Sequence, residues 1–194
     1  MSETQTTLIY LHGFLSSPQS VKAVQTKDFF AEHYPQVNFV VPQISNYPDL
    51  AIAQLRELVS QYQNTRLRFI GSSMGGFLST HLVSQFGGKA VLINPAVEPH
   101  ILLKDYLGEH TNPYTGEVFD LESHHMQILK ELLVDPLPNP ENFWALLQTE
   151  DETLDYRLAE RKYQDSKLTI EQGGDHSFVG YERHLATIAE FLIE

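Results

Sequence analysis

The stretch Gly71-Ser72-Ser73-Met74-Gly75 holds the residues most suited to chemistry. Only Ser73 in it has glycine both two places before and two places after. An apolar run precedes it and a helix-like pattern follows, which is the context of a nucleophile elbow. A serine hydroxyl is almost wholly protonated at neutral pH, so it attacks only when a base takes its proton. That base needs a third group to hold its tautomer and orientation. His176, in Gly173-Gly174-Asp175-His176-Ser177-Phe178, is the best-placed base, because two glycines let the loop turn back toward the nucleophile. The acid belongs to the loop Gln148–Asp155, which offers Glu150, Asp151, Glu152 and Asp155. Asp151 is favoured, one turn past a strand end; Asp155 is second, and Asp175 is another candidate, although adjacent residues rarely reach the required side-chain geometry. An attacked carbonyl also needs two N–H groups aimed at its oxygen. The backbones of Met74, just after the nucleophile, and of Phe14, in His12-Gly13-Phe14, are the candidates. The competing reading of the elbow is a glycine-rich turn without chemistry.

Around this centre, His12 and Gly13 border the expected substrate site, with the His12 side chain placed to anchor its loop. Tyr106, Tyr114 and Phe119 are candidates to line a substrate pocket, or equally to fill a core. The pair His124-His125 is a poor metal site, since consecutive residues on a helix point about 100° apart. No metal and no cofactor is expected.

These groups must be carried by strand ends. Apolar runs at Thr7–Leu11, Val37–Val41, Leu67–Ile70, Ala90–Ile93, Phe143–Gln148 and Leu168–Glu171 read as six strands. Helical patterns lie between them. One starts near Ser16-Ser17-Pro18, others at Pro48-Asp49, Gly75–Phe86 and Asp155–Tyr163, and a last one at about Phe178. Strands that are apolar throughout and joined through helices imply a mostly parallel sheet covered on both faces. The expected fold is α/β, one domain over 1–194 with strand order 2-1-3-4-5-6. The segment 95–140 carries six prolines and two helical pieces, near Glu98–Leu107 and Glu122–Leu133. It reads as a small helical cap inserted over the mouth of the site, or as an ordinary connection with one extra helix.

Composition narrows the function classes. With no cysteine, a thiol nucleophile, a disulfide and a thiolate metal site are all ruled out. A net charge of -12, from 13 Lys and Arg against 25 Asp and Glu, disfavours nucleic acid and anionic membrane surfaces as partners. The start MSETQTTLIYLHGF has no basic region and its apolar run breaks at His12-Gly13. A cytoplasmic protein with no membrane insertion is therefore expected, its partner a small-molecule substrate.

The segments YLHGFLSSPQS at 10–20, GSSMGG at 71–76, NPAVEP at 94–99, DYLGEHTNPYTGE at 105–117, LQTEDETLDYR and EQGGDHSF run over nearly the whole chain. In them the sequence resembles the small bacterial YqiA-type esterases of the α/β-hydrolase superfamily. The resemblance implies a carboxylic ester hydrolase with Ser73 as nucleophile, His176 as base and the acid in the Asp151 loop. It also implies Gly before that Asp, where this chain has Glu150. The function expected is a serine esterase working through an acyl-enzyme on small or medium acyl esters or thioesters. An acyl-CoA thioesterase, a C–C bond hydrolase or a non-catalytic binding protein on the same scaffold are the alternatives.

Overall fold

The computed structural model describes residues 4–193; residues 1–3 and Glu194, the outermost ends of the expected domain, lie outside them. In chain order come β1 (Thr6–Leu11), α1 (Val21–His33), β2 (Asn38–Val40), α2 (Pro48–Ser60), β3 (Arg66–Ser72), α3 (Met74–Phe86) and β4 (Lys89–Ile93). An insertion follows, with α4 (Pro99–Leu102), β5 (Gly108–Thr111), β6 (Val118–Leu121) and α5 (Ser123–Glu131). Then come β7 (Phe143–Gln148), α6 (Tyr156–Lys162), β8 (Lys167–Glu171) and α7 (Leu185–Ile193).

Six strands form one parallel sheet in the order β2-β1-β3-β4-β7-β8. The last two carry higher numbers than expected because the insertion contributes two strands of its own. Alternate side chains feed two cores. Ile9, Leu11, Phe69 and Leu92 meet α2, α3 and α5, whereas Leu8, Tyr10, Ile70 and Val91 meet α1 and α7. Both sets are shut off from water, which is why the strands read as unbroken apolar runs.

Register decides where the chemistry can be. Leu11 lies opposite Gly71, Ser72 opposite Ile93, and Gln148 opposite Glu171. The carboxyl ends of β1, β3, β4, β7 and β8 therefore share one edge, and residues 12–14, 73, 94, 151 and 176 all emerge there. This is the general location of ligand sites in open α/β sheets.

The insertion departs from the expected helical cap. Only one turn of α-helix and a 3-10 turn (Leu103–Tyr106) occupy the first helical piece, and an antiparallel hairpin of β5 and β6 follows. Four-residue strands carry little propensity of their own. This pair is stabilised by burying Phe119 and Leu121 in the main core. Helix α5 packs on α2 and α4. Two helix starts also differ. α1 begins at Val21, leaving 12–20 as a loop. The last helix is delayed to a 3-10 turn at Tyr181, because Phe178 (φ 64°) and Gly180 (φ 73°) are left-handed. Among the described residues no helix is long and apolar enough to cross a membrane.

Candidate active site

Ser73 sits between β3 and α3 with φ 55° and ψ -118°. A side chain held there costs about 1–3 kcal/mol, so the surroundings must over-determine it. Ser73 N–H donates to Ile93 O at 3.0 Å, and Ser73 O accepts from Gly76 N at 2.9 Å and Ala96 N at 3.1 Å. The flanking glycines are needed for contact. A Cβ on Gly75 would stand 1.9 Å from Leu11 O, and one on Gly71 would stand 2.3 Å from Gly75 O. Helix α3 thus starts directly against the end of β1. That presses the elbow toward the loop after β1, where a Cβ on Gly13 would touch Ser73 Cβ at 3.4 Å.

The imidazole of His176 stands between Ser73 and Asp151. Its Nε2 is 3.1 Å from Ser73 Oγ; its Nδ1 is 2.8 Å from Asp151 Oδ2 and 3.0 Å from Oδ1. An ionised carboxylate only accepts, so the ring proton sits at Nδ1 and the Nε2 lone pair faces the serine O–H. Asp151 is itself fixed, since its Oδ1 accepts from Thr153 N at 2.9 Å and Leu154 N at 2.8 Å. Its side chain is 2% exposed.

Asp155, the alternative acid, caps α6 instead. It accepts from Arg157 N at 3.0 Å and pairs with the Arg157 guanidinium at 2.8 and 2.9 Å. Those bonds hold its carboxyl below the usual range. Asp175 accepts from Ser177 Oγ, and the His176 ring is hydrogen-bonded to Asp151 instead. Glu150, where the family resemblance implied glycine, is exposed and has no positive φ, so its backbone needs no glycine.

Two residues that sequence reasoning passed over hold the His176 loop. Asn94 Oδ1 accepts from Gln148 N at 3.0 Å, and its Nδ2 donates to Asp175 O at 3.0 Å. Gln148 Oε1 accepts from Asp175 N at 3.2 Å and Val179 N at 2.9 Å, while its Nε2 donates to Glu171 Oε2 and Val179 O, each at 2.9 Å. Gly174 passes so close that a Cβ there would lie 1.9 Å from Gln148 Oε1. Both amides are buried, and an orphaned buried amide costs about 1–3 kcal/mol. The signal for them was available: each is a polar residue closing an otherwise apolar strand. Lys22 Nζ, from α1, adds a bond to Ser177 O at 2.7 Å.

Glu171 anchors the far side of this network. Burial pushes its carboxyl up, but hydrogen bonds from Arg183, Gln148 and His184 outweigh that and bring it from 4.5 down to about 2. Below the ordinary value the unfolded chain takes up a proton that the folded one refuses. The stability from this group, fully present at neutral pH, is therefore lost as pH falls from 4.5 through about 2. Melting temperature should drop more steeply across that window in the wild type than in Glu171→Gln, and equal slopes would refute the assignment.

The N–H of Met74 opens α3, and that of Phe14 lies in the loop after β1. Among the described residues neither has a hydrogen-bond partner. Both are free for a negatively charged oxygen, and the Met74 N–H has the dipole of α3 behind it. His12 is 3% exposed. Its Nε2 accepts from Ile44 N at 3.0 Å, which leaves the proton on Nδ1 to donate to Gly13 O at 2.9 Å. Burial lowers its pKa, so it stays neutral. His12 anchors this loop, with both ring nitrogens spent on backbone, and it also borders the cavity behind Phe14 and Met74.

Of its two readings Phe119 takes the second and fills a core. It is 2% exposed, and its ring meets Phe14 edge-on at 5.8 Å and Tyr47 at 5.8 Å. Tyr106 is exposed, tilted against His110. Tyr114 lines a groove of about 390 Å³ with Ser16, Lys22, Ser177 and Val179. Behind Phe14 and Met74 lies a small apolar cavity of about 30 Å³, closed by Ile44, Leu78 and Leu129. No group of three or more His, Asp or Glu that could hold a metal occurs among the described residues.

This architecture recurs in solved structures. Est1E from Butyrivibrio proteoclasticus superposes with TM-score 0.76 at 14% identity, over 98% of this chain and 88% of its own. Alpha/beta hydrolase domain-containing protein 10 from mouse gives 0.70 at 18%, over 97% and 90%. The Pyrococcus furiosus esterase Pf2001 gives 0.66 at 15%, over 98% and 81%. At such identities the likeness is one of fold, and the fold is that of the α/β-hydrolases. Residues 7–193 match a single family model, and by that match the chain belongs to the family described as "Uncharacterised protein family (UPF0227)", the YqiA-type group to which its motifs pointed.

Proposed function

We propose that the protein is a serine carboxylic ester hydrolase that works through an acyl-enzyme on esters or thioesters of small acyl groups. The observation that carries this reading is the continuous chain from Ser73 Oγ to His176 (3.1 Å) and from His176 to Asp151 (2.8 Å). In the first step Ser73 Oγ bonds to the substrate carbonyl carbon as its proton passes to His176 Nε2. The carbonyl oxygen becomes negative between the N–H groups of Phe14 and Met74, each such donor contributing about 2.7–4 kcal/mol at the transition state. Collapse breaks the bond to the leaving oxygen or sulfur, which takes the proton from His176. Water then attacks the acyl-enzyme with His176 as base, and the carboxylic acid leaves Ser73 restored.

The surroundings support a division of the substrate. His176 must reach the leaving atom, so the leaving group belongs on the His176 side, where the groove of Tyr114, Lys22 and Ser177 lies. The acyl group lies on the other side, toward the 30 Å³ cavity of Phe14 and Met74, which has room for a methyl or ethyl end. A panel of p-nitrophenyl esters from acetate to octanoate, with acetyl-CoA and a C–C cleavage substrate, tests this. The expected result is fastest turnover of the shortest acyl esters, with labelling by a fluorophosphonate probe at Ser73 alone. Turnover of only the C–C substrate would move the protein to another reaction class, and absence of both labelling and turnover would make it a binding protein.

A further inference from the structure

The NPYTGE turn joins β5 to β6, and apart from Tyr114 the chemistry above makes no use of it. Its first residue, Asn112, is fully buried, with every polar group of its side chain engaged. Asn112 Nδ2 donates to Ser16 O at 3.2 Å and to Asn46 Oδ1 at 3.2 Å. Asn112 Oδ1 accepts from Tyr114 N at 2.9 Å and Thr115 N at 3.3 Å, which closes the turn on itself. The last residue of the motif, Glu117, accepts from Asn46 Nδ2 at 2.7 Å. Asn46 lies in the loop before α2, and Ser16 in the loop that carries Phe14 N–H. One buried amide thus ties three separate segments together beside the oxyanion donor.

A second contact acts on the same loop. The Phe14 ring stands edge-on to Phe119 of β6 at 5.8 Å and to His110 of β5 at 6.2 Å. From the sheet side, His12 and Gln43 hold the loop to the chain after β2: Gln43 Nε2 donates to Ser16 O at 3.3 Å, and His12 accepts from Ile44 N. The loop between Gly13 and Ser16 has no secondary structure of its own. On its other flank the hairpin holds it, through Asn112 on Ser16 O and the rings against Phe14.

We infer that the β5–β6 hairpin is a buttress for the oxyanion loop and that Asn112 is a positioning residue, setting the direction of the Phe14 N–H through Ser16. This rests on the esterase reading given above. An N–H displaced by a fraction of an ångström still lets substrate bind but meets the developing negative charge less well. The effect therefore falls on kcat and not on KM.

The test uses the full chain. Asn112→Ala should lower kcat for p-nitrophenyl acetate by about 10–100-fold, part of the 10²–10³ that loss of a whole donor costs, with KM changed by less than about threefold. Backbone amide exchange at residues 13–17 should quicken in the same variant, while that of α7 stays as in the wild type. Glu117→Ala should act in the same direction. Glu117→Gln, which keeps an acceptor for Asn46 Nδ2, should restore most of the rate, and these two carry the test if Asn112→Ala does not fold. Unchanged exchange at 13–17 overturns the inference whether or not the protein hydrolyses esters. Faster exchange with an unchanged kcat, or equal losses in Glu117→Gln and Glu117→Ala, overturns it as well. Failure of the esterase reading registers separately, as a wild type that neither turns over esters nor takes the probe.

Discussion

Ser73→Ala should lower ester hydrolysis by on the order of 10⁶-fold and end labelling by a fluorophosphonate, with the far-UV spectrum unchanged. The lost atom is the one that forms the covalent bond. No other hydroxyl lies in the chain from Asp151 through His176, so no neighbour takes its place. The fold should survive because the elbow is held by backbone: Ile93 O, Gly76 N and Ala96 N all bond to the main chain of Ser73. Alanine still carries a Cβ at φ 55° and keeps the strain. Glycine does not, so Ser73→Gly should be equally inactive yet melt higher than Ser73→Ala. Retention of a tenth or more of the rate in Ser73→Ala would remove the serine from the mechanism.

The second large effect separates two acids four residues apart. Asp151→Asn should reduce kcat on the order of 10⁴-fold, because an amide facing Nδ1 no longer enforces the tautomer that leaves Nε2 free, nor does it stabilise the imidazolium. Asp155→Asn should leave the rate within about twofold, since asparagine caps a helix as well as aspartate does and only an exposed pair with Arg157 is lost. Steady-state kinetics on the two purified variants decides it. A larger loss in Asp155→Asn than in Asp151→Asn would reverse the assignment.

How legible these roles were depends on how local their causes are. The elbow could be read directly because its requirement is local: the backbone turns sharply within five residues, and glycine is demanded wherever a Cβ would strike a neighbouring carbonyl. The two-core sheet was legible for a similar reason, as strands buried on both faces must be apolar at every position. The β5–β6 hairpin was not. Its strands are too short to show a period, and they pair because Phe119 and Leu121 find a core built by distant segments. His12 and Phe119 each carried two readings in sequence, as Asp151 and Asp155 did. A residue type near a strand end announces chemistry, but its partner decides the role. His12 spends both nitrogens on Ile44 and Gly13, Phe119 turns inward onto Phe14, and Asp155 is taken by Arg157.

By itself the order of residues determined the α/β class, the strand that ends just before Ser73, the histidine loop after the last strand, and the stretch that supplies the carboxylate beside His176. These follow from periodicity and from glycine at close contacts, which act over a few residues. Only the tertiary structure decided which carboxylate faces His176, that Asn94 and Gln148 hold its loop, and that the inserted segment stands beside the Phe14 loop. Each of these depends on hydrogen bonds between segments tens of residues apart, brought together by parallel register at one edge of the sheet, and local pattern can mark a polar residue there without naming its partner.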